Sequence, residues 1–126
     1  MATRISVVVP ALNEARGIRD TLRALAPMRQ HGHEVIVVDG GSVDATRELA
    51  APLADRVIVS PRGRARQMNT GAAAVRGDIL WFLHADTVPK SDAGETILAA
   101  LADNGRDWGR FDVRSEEHTS ELQSPT

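Results

Sequence analysis

The sequence predicts an α/β fold in which a mainly parallel sheet carries helices on both faces. Short apolar runs of strand length alternate along the chain with segments of helical character, and this order is typical of parallel sheets. The runs are uniformly apolar rather than alternating, as expected for strands that are covered on both faces. The length of 126 residues suits one domain.

Strands and helices are predicted in strict alternation from the N-terminus. Apolar runs predict strands over residues 5–10, 34–39, 56–60 and 79–83, with a fifth strand beginning in 108–113. Apolar periodicity and helix-forming composition predict helices over 13–26, 44–53, 64–75 and 91–101. Pro27 is expected to end the first helix, Ser42 or Asp44 to cap the second, and Ser91 to cap the last.

Composition argues against several classes of protein. A net charge of -2 gives no reason to expect nucleic acid as a partner, and an aromatic content of 3% without tyrosine argues against platforms that stack single-stranded bases. No apolar run approaches the roughly 20 residues that span a bilayer, so no transmembrane segment is expected. The absence of cysteine excludes disulfides and thiolate metal sites and fits a reducing cytoplasm, where we expect the protein to reside.

Residues 114–126 differ from the rest of the chain. The segment RSEEHTSELQSPT has three glutamates, one leucine and no apolar periodicity, so it is predicted to be disordered. Its first eleven residues also resemble the translation of a common sequencing-adapter DNA in one reading frame. On that interpretation residues 1–113 form the α/β domain, and 114–126 are an artefact that is left out of fold reasoning.

Polar and acidic groups follow the predicted strands at the ends where ligands bind in open parallel sheets. The four segments are PALNE at 10–14, DGGSVD at 39–44, SPRGR at 60–64 and HADT at 84–87. Because the carboxyl ends of parallel strands lie at one edge of the sheet, these segments are expected to gather there. The sequence therefore predicts a binding site at that edge.

Asp39 is the first candidate residue. Its carboxylate, at a strand terminus, can accept the imide N–H of a pyrimidine or the hydroxyls of a ribose. Gly40 and Gly41 would let the backbone approach such a ligand closely. The alternative is that Asp39 caps the following helix, a role that Ser42 and Asp44 fit better.

Asp86 and His84 are the next candidates, on the same side of the chain if it is extended. A carboxylate such as Asp86 can ligate Mg²⁺ or Mn²⁺, which need few protein ligands when phosphates supply the others. His84 can ligate Mn²⁺ or bind a sugar hydroxyl or phosphate. An ordinary neutral histidine at a strand end is the alternative for His84.

A basic stretch, PRGRARQMN, leads into the predicted helix at 64–75. It carries Arg62, Arg64 and Arg66, and a helix N-terminus itself favours anions. Binding of a diphosphate is one interpretation. The other is a solvated basic face, which holds for at least one of the three arginines.

Several nucleotide-binding and hydrolytic classes lack their motif here. The sequence contains no G-x-G-x-x-G after the first strand, no G-x-x-x-x-G-K-[ST] and no G-x-S-x-G. A receiver-like or purely binding α/β domain would tolerate acids at strand ends but would not need Asp86 together with the arginine stretch. What remains is a protein that binds a nucleotide diphosphate with a divalent ion, with a non-catalytic nucleotide-binding α/β module as the alternative.

Four motifs in order carry a resemblance to a known family. ISVVVPALNE, VIVVDGGSVDAT, GRARQMNTGAAAVRGD and ILWFLHADT together span roughly residues 4–90. They resemble the N-terminal half of family 2 glycosyltransferases, whose GT-A fold contains a Rossmann-like nucleotide-binding half. The forms GRARQMN and LHADT further resemble a bacterial subgroup linked to arsenosugar biosynthesis.

The resemblance implies a role for individual residues. Asp39 corresponds to the acid that binds the nucleobase, and Asp86 to the second acid of the D-x-D motif, which binds the metal. Contacts to the nucleotide-sugar are further expected from the segments that match the four motifs, at Pro10, Ala11, Asn13, Glu14, Gly40, Ser42, Arg64, Arg66, Asn69, His84 and Ala85. His84 departs from the family pattern, because it stands where D-x-D has its first acid.

The implied reaction is transfer of a sugar from a nucleotide-diphosphate sugar to an acceptor hydroxyl. The expected donor is a UDP-sugar, the expected cofactor Mg²⁺ or Mn²⁺, and the expected stereochemical course inversion. In the family the general base lies well downstream of D-x-D. Since the authentic-looking sequence stops near Val113, the acceptor half and the base are expected to be missing and the chain to be an inactive fragment. The full-length form would be cytoplasmic or peripheral to the membrane.

Overall fold

A parallel four-stranded sheet forms the centre of the computed structural model. The structure describes residues 3–90 and 92–104, with side chains to residue 100, and the strand backbone at 110–111 and 122–123. The strands are β1 Ile5–Ala11, β2 Glu34–Asp39, β3 Arg56–Val59 and β4 Ile79–Phe82. They pair in the order β3-β2-β1-β4, all parallel. The predicted parallel sheet is therefore confirmed.

Helices cover both faces of this sheet. They are α1 Ile18–Ala24, α2 Ala26–Gln30, α3 Thr46–Ala50, α4 Arg64–Ala74 and α5 Ala93–Asn104. Side chains alternate between the faces along each strand. On β1, Val7 and Val9 pack into the core shared with α1, α2, α3 and α5, whereas Val8 packs with Ile36 and Val38 under α4. The sheet is thus buried on both sides, which explains the uniformly apolar strands.

The first helix differs from its prediction at both ends. Residues 13–17 are not helical, and Asn13 has a φ of 53°, which a right-handed helix does not allow. The N–H groups at the start of this segment bind side chains near α3 instead of helix carbonyls. Pro27 does not end the helical region but occupies the first turn of α2. Proline suits that position because an N–H there has no partner within the helix.

The second helix is shorter than the predicted 44–53. It begins at Thr46 and gives way to a 3₁₀ turn, Ala51–Leu53, in which Pro52 cannot supply an α-helical hydrogen bond. The N-cap residue is Ala45, so neither Ser42 nor Asp44 occupies the predicted capping position; Asp44, one residue earlier, accepts the Thr46 N–H at 3.0 Å. The third predicted helix is confirmed as α4. The fourth is α5, and its predicted cap Ser91 lies outside the described residues.

The predicted fifth strand is short and lies outside the parallel sheet. β5 Arg110–Phe111 pairs antiparallel with β6 Leu122–Gln123 in a separate two-stranded sheet. β6 belongs to the segment that is predicted to be disordered. The remaining residues of 114–126 lie outside the described part, and for them disorder stays a prediction.

The strand order reverses beside β1. From β1 the chain adds β2 and then β3 on one side, and it then returns to add β4 on the other side of β1. The direction in which strands are added therefore reverses at β1. Ligands of open α/β sheets bind at the carboxyl ends of strands next to such a reversal. Within the described residues, no helix is both long and apolar enough to cross a membrane.

Candidate functional site

Three loops meet at the carboxyl edge of the sheet. We name them loop 1 (residues 12–17, after β1), loop 2 (residues 40–45, after β2) and loop 4 (residues 83–92, after β4). Glu14 of loop 1 and His84 and Asp86 of loop 4 each offer one ligand atom, and these atoms all lie within 4.8 Å of one another. The expected gathering of strand-end acids is therefore found for Glu14 and Asp86.

Loop 1 is held in place by loop 2 and the start of α3. Three of its backbone N–H groups donate to side chains there: Asn13 to Ser42 at 2.8 Å, Glu14 to Thr46 at 2.9 Å and Ala15 to Asp44 at 3.2 Å. In return, the Val43 N–H donates to Asn13 Oδ1 at 2.9 Å. These bonds support the strained backbone of Asn13 and fix where Glu14 sits.

Asp39 holds loop 2 in place through hydrogen bonds to its carboxylate. Its side chain is fully buried, and Oδ2 accepts the N–H groups of Gly41 at 2.9 Å and Ser42 at 2.8 Å. Oδ1 accepts the hydroxyl of Ser42, and the Nε of Arg47 lies 3.9 Å from Oδ2. Asp39 therefore holds loop 2, but it does not cap the following helix, which begins at Thr46. Contact with a nucleobase stays a prediction, and it requires the carboxylate to become exposed, because no part of Asp39 is accessible in this structure.

Three polar side chains form a chain of contacts between α4 and loop 4. Arg64 Nη1, at the first position of α4, lies 2.6 Å from His84 Nε2. His84 Nδ1 lies 3.0 Å from Asp86 Oδ1. Between them Ala85 is buried, and its carbonyl accepts the Thr21 hydroxyl at 2.8 Å, which ties loop 4 to α1.

The acidic groups of the site influence one another. Burial raises the pKa of Glu14 above its usual value of 4.5, and the carboxylates of Asp86 and Asp44 raise it further; only a positively charged His84 would oppose them. The pKa of Asp44 is lowered, chiefly because the Thr46 hydroxyl donates to it. Glu14 and Asp86 therefore repel each other, and a cation between them would relieve this repulsion. Two carboxylates at this spacing suit Mn²⁺ or Mg²⁺, which prefer oxygen ligands.

Gln67 is a site residue that the sequence analysis missed. It is buried on α4, and its amide donates to the carbonyls of Ala11 at 2.9 Å and Val38 at 3.0 Å. A Cβ on Gly40 would lie 2.7 Å from its side chain, so that glycine is needed for close packing. The available signal was its position four residues before Gly71, on the uncharged face of the helix.

The other predicted contacts fall into two groups. Pro10 and Ala11 end β1 next to this edge, and the Ala11 carbonyl also accepts the Gly40 N–H at 3.0 Å. Arg66 and Asn69 lie on the exposed side of α4. Among the described residues, neither side chain makes a hydrogen bond or ion pair with the Glu14, His84 and Asp86 cluster. The structure thus brings Arg64, but not Arg66 or Asn69, into contact with it.

Comparison with known families identifies the fold. The family model for glycosyl transferase family 2 matches residues 6–124. The chain belongs to this family. Among curated relatives, it is 30% identical over 112 residues to the glycosyltransferase AglE of Haloferax volcanii, covering 82% of this chain and 37% of that protein. It is 34% identical over 104 residues to the pre-mycofactocin glycosyltransferase of Mycobacterium tuberculosis, covering 79% of this chain and 21% of that one.

Solved structures agree with this assignment. The glucosyl-3-phosphoglycerate synthase of Mycobacterium tuberculosis, crystallised with Mn²⁺, UDP and glucosyl-3-phosphoglycerate, superimposes with a TM-score of 0.71 at 29% identity. The match covers 79% of this chain and 40% of that chain. The predicted GT-A type of α/β fold is therefore confirmed. This chain spans about two fifths of the length of that synthase and of AglE.

Proposed function

We propose that this chain supplies the donor-binding part of a glycosyltransferase that moves a sugar from a nucleotide-diphosphate sugar to an acceptor hydroxyl. The observation that carries the proposal is the meeting of Glu14, His84 and Asp86 within 4.8 Å at the reversal point of the sheet. Family membership supports the reaction type. Likeness to a synthase crystallised with UDP and Mn²⁺ supports a UDP-sugar as the donor.

The side chains at this edge suit a metal-bound diphosphate. Asp86 would hold the divalent ion, and Glu14 lies close enough for its negative charge to attract the same ion. When bound, such an ion stabilises the negative charge that develops on the departing diphosphate. Arg64, anchored at the start of α4, adds a positive charge beside it.

The nucleoside would lie over loops 1 and 2. We assign the base contact to Asp39 and loop 2, and the ribose to loop 1 around Glu14. The hydrogen bonds between these loops hold that surface before any ligand arrives. This preorganisation lowers the ordering cost of binding. Inversion at the sugar, a cytoplasmic location and the arsenosugar subgroup are further parts of the proposal, and they are supported by the sequence resemblance and the cysteine-free composition.

Calorimetric titration of the 126-residue chain with UDP tests the proposal. We expect UDP to bind more tightly with Mn²⁺ than with EDTA. Asp86→Asn should weaken binding in Mn²⁺ about tenfold or more, because a charged metal contact is lost, and should have little effect in EDTA. Asp20→Asn, which removes an exposed acid on α1, is the matched control for net charge and should bind as the wild type does.

Two results would contradict the proposal. One is an affinity for UDP that is the same with and without Mn²⁺ in both the wild type and Asp86→Asn. The other is the absence of any UDP binding by a chain whose circular dichroism shows it to be folded. UDP binding without transfer by the intact, full-length protein would favour the non-catalytic nucleotide-binding module instead.

A further inference from the structure

Both ring nitrogens of His84 are engaged in the structure. Nε2 lies 2.6 Å from Nη1 of Arg64, and Nδ1 lies 3.0 Å from Oδ1 of Asp86. A guanidinium has only donors, so Nε2 must be the acceptor in the first contact. The ring proton is then on Nδ1 and is donated to Asp86. No lone pair of His84 is left to ligate a metal ion in this arrangement.

We infer that His84 is a positioning residue, a neutral bridge that joins Arg64 to Asp86, and not a metal ligand. The inference rests on the proposed function, since it assigns Arg64 to the diphosphate and Asp86 to the ion. It concerns a position that is acidic in the D-x-D motif. The bridge fixes the distance between the cationic and the anionic side chain of the donor site.

Charge explains why an imidazole suits this position. An aspartate at position 84 would pair directly with Arg64 and cancel its positive charge, and it would repel Asp86 two residues away. A neutral imidazole holds both side chains by hydrogen bonds and leaves each with its full charge. Arg64 thus stays positive for a phosphate, and Asp86 stays negative for a metal ion.

The bridge has rigid supports although its side chains are exposed. His84 and Asp86 are 50% and 66% exposed, and exposed polar contacts between flexible side chains are weak. Here Ala85 is buried and tied to Thr21, while Gln67 anchors the first turn of α4 below Arg64. Because both backbones are held, less conformational entropy is lost when the side chains connect.

A double-mutant cycle on His84 and Arg64 tests the inference by binding alone. UDP affinity is measured calorimetrically in EDTA, and Mn²⁺ affinity by electron paramagnetic resonance without nucleotide. We expect His84→Ala and Arg64→Ala each to weaken UDP binding in EDTA about fivefold, and the double variant to be no weaker than the poorer single one. His84→Ala should change Mn²⁺ affinity less than about twofold. Arg23→Ala, an exposed arginine on α1, controls for lost charge and should match the wild type.

His84→Gln provides a second variant, because its amide oxygen accepts from Arg64 as Nε2 does. It should retain most of the UDP affinity that His84→Ala loses. Nitrogen NMR at a pH where the ring is neutral gives an independent readout: we expect the proton of His84 on Nδ1, with this preference lost in Arg64→Ala.

The inference is overturned if His84→Ala weakens Mn²⁺ binding about tenfold while UDP binding in EDTA is unchanged, since that is the behaviour of a ligand. Additive losses in the cycle, or a ring proton on Nε2, would overturn it as well. If one of these contrary results appears while the wild type still binds UDP more tightly with Mn²⁺, the bridge is wrong and the proposed function stands. If the folded wild type does not bind UDP at all, both the bridge and the proposed function are wrong.

Discussion

Gly71 sets how closely α4 approaches the sheet, and Gly71→Ala tests this directly. A Cβ at Gly71 would lie 2.3 Å from Cγ1 of Val8 and 3.0 Å from Cγ2 of Val38, whereas ordinary contacts begin near 3.4 Å. Both valines belong to the fully buried core on that face. The helix would therefore have to retreat by about 1 Å, since a packed core offers little room to move.

Gln67, one turn earlier on α4, makes the retreat costly. Its bonds of 2.9 and 3.0 Å to the carbonyls of Ala11 and Val38 would lengthen beyond hydrogen-bonding range. Overpacking costs about 1–3 kcal/mol and each lost bond about 1 kcal/mol, while replacing glycine within a helix returns about 1 kcal/mol. We expect Gly71→Ala to lower the free energy of unfolding by about 3 kcal/mol.

Urea unfolding followed by circular dichroism measures this change, and Gly94→Ala is the matched control. Gly94 lies in α5, and the nearest atom to a Cβ there is the flexible end of Met28 at 3.3 Å. That variant should be as stable as the wild type or slightly more so. If Gly71→Ala unfolds at the same urea concentration as Gly94→Ala, the close approach of α4 does not limit this position and the reasoning is wrong.

Buried Glu34 and half-buried His33, at the opposite edge of the sheet, predict pH dependence. Burial raises the pKa of Glu34, but donation from the Ser6 hydroxyl and the Arg76 N–H outweighs it, so the pKa is lowered from 4.5. The hydrogen bonds of ionised Glu34 stabilise the fold fully above pH 4.5, and this stabilisation is lost as pH falls through the folded pKa. Glu34→Gln should therefore lower the free energy of unfolding by about 1–2 kcal/mol near pH 7 and by less near pH 4. An equal loss at both pH values would contradict this prediction. Burial lowers the pKa of His33 from 6.5, and its Nδ1 accepts the Ile5 N–H at 2.9 Å. The unfolded ring binds a proton first, so stability should fall as pH drops through 6.5 toward the lower pKa of the folded protein. His33→Asn, which keeps an acceptor, should flatten that slope in urea titrations, and an unchanged slope would refute the assignment.

Local patterns were enough to predict the sheet. The run at 34–39 is apolar throughout and became β2 with the predicted bounds, because a strand covered on both faces needs no alternation. The acids at strand ends followed from the rule that parallel strands end at one edge. That rule put the segments that carry Glu14 and Asp86 at the same edge, but it did not single out these two acids as neighbours.

What the sequence did not predict depends on partners distant along the chain. Loop 1 was predicted as part of a helix. The prediction failed because the loop's backbone N–H groups bind side chains about thirty positions later in the chain, and no local pattern shows such partners. Gln67 was missed since its role requires carbonyls of two strands. The contact between Arg64 and His84 spans 20 residues and involves exposed side chains, for which periodicity carries no signal.

Loops 1 and 2 form one unit, which has a consequence for engineering. The shape of residues 12–17 is templated by Ser42, Asp44 and Thr46, so a loop 1 grafted from a relative would meet foreign hydrogen-bonding partners. Attempts to alter donor choice should therefore exchange both segments together.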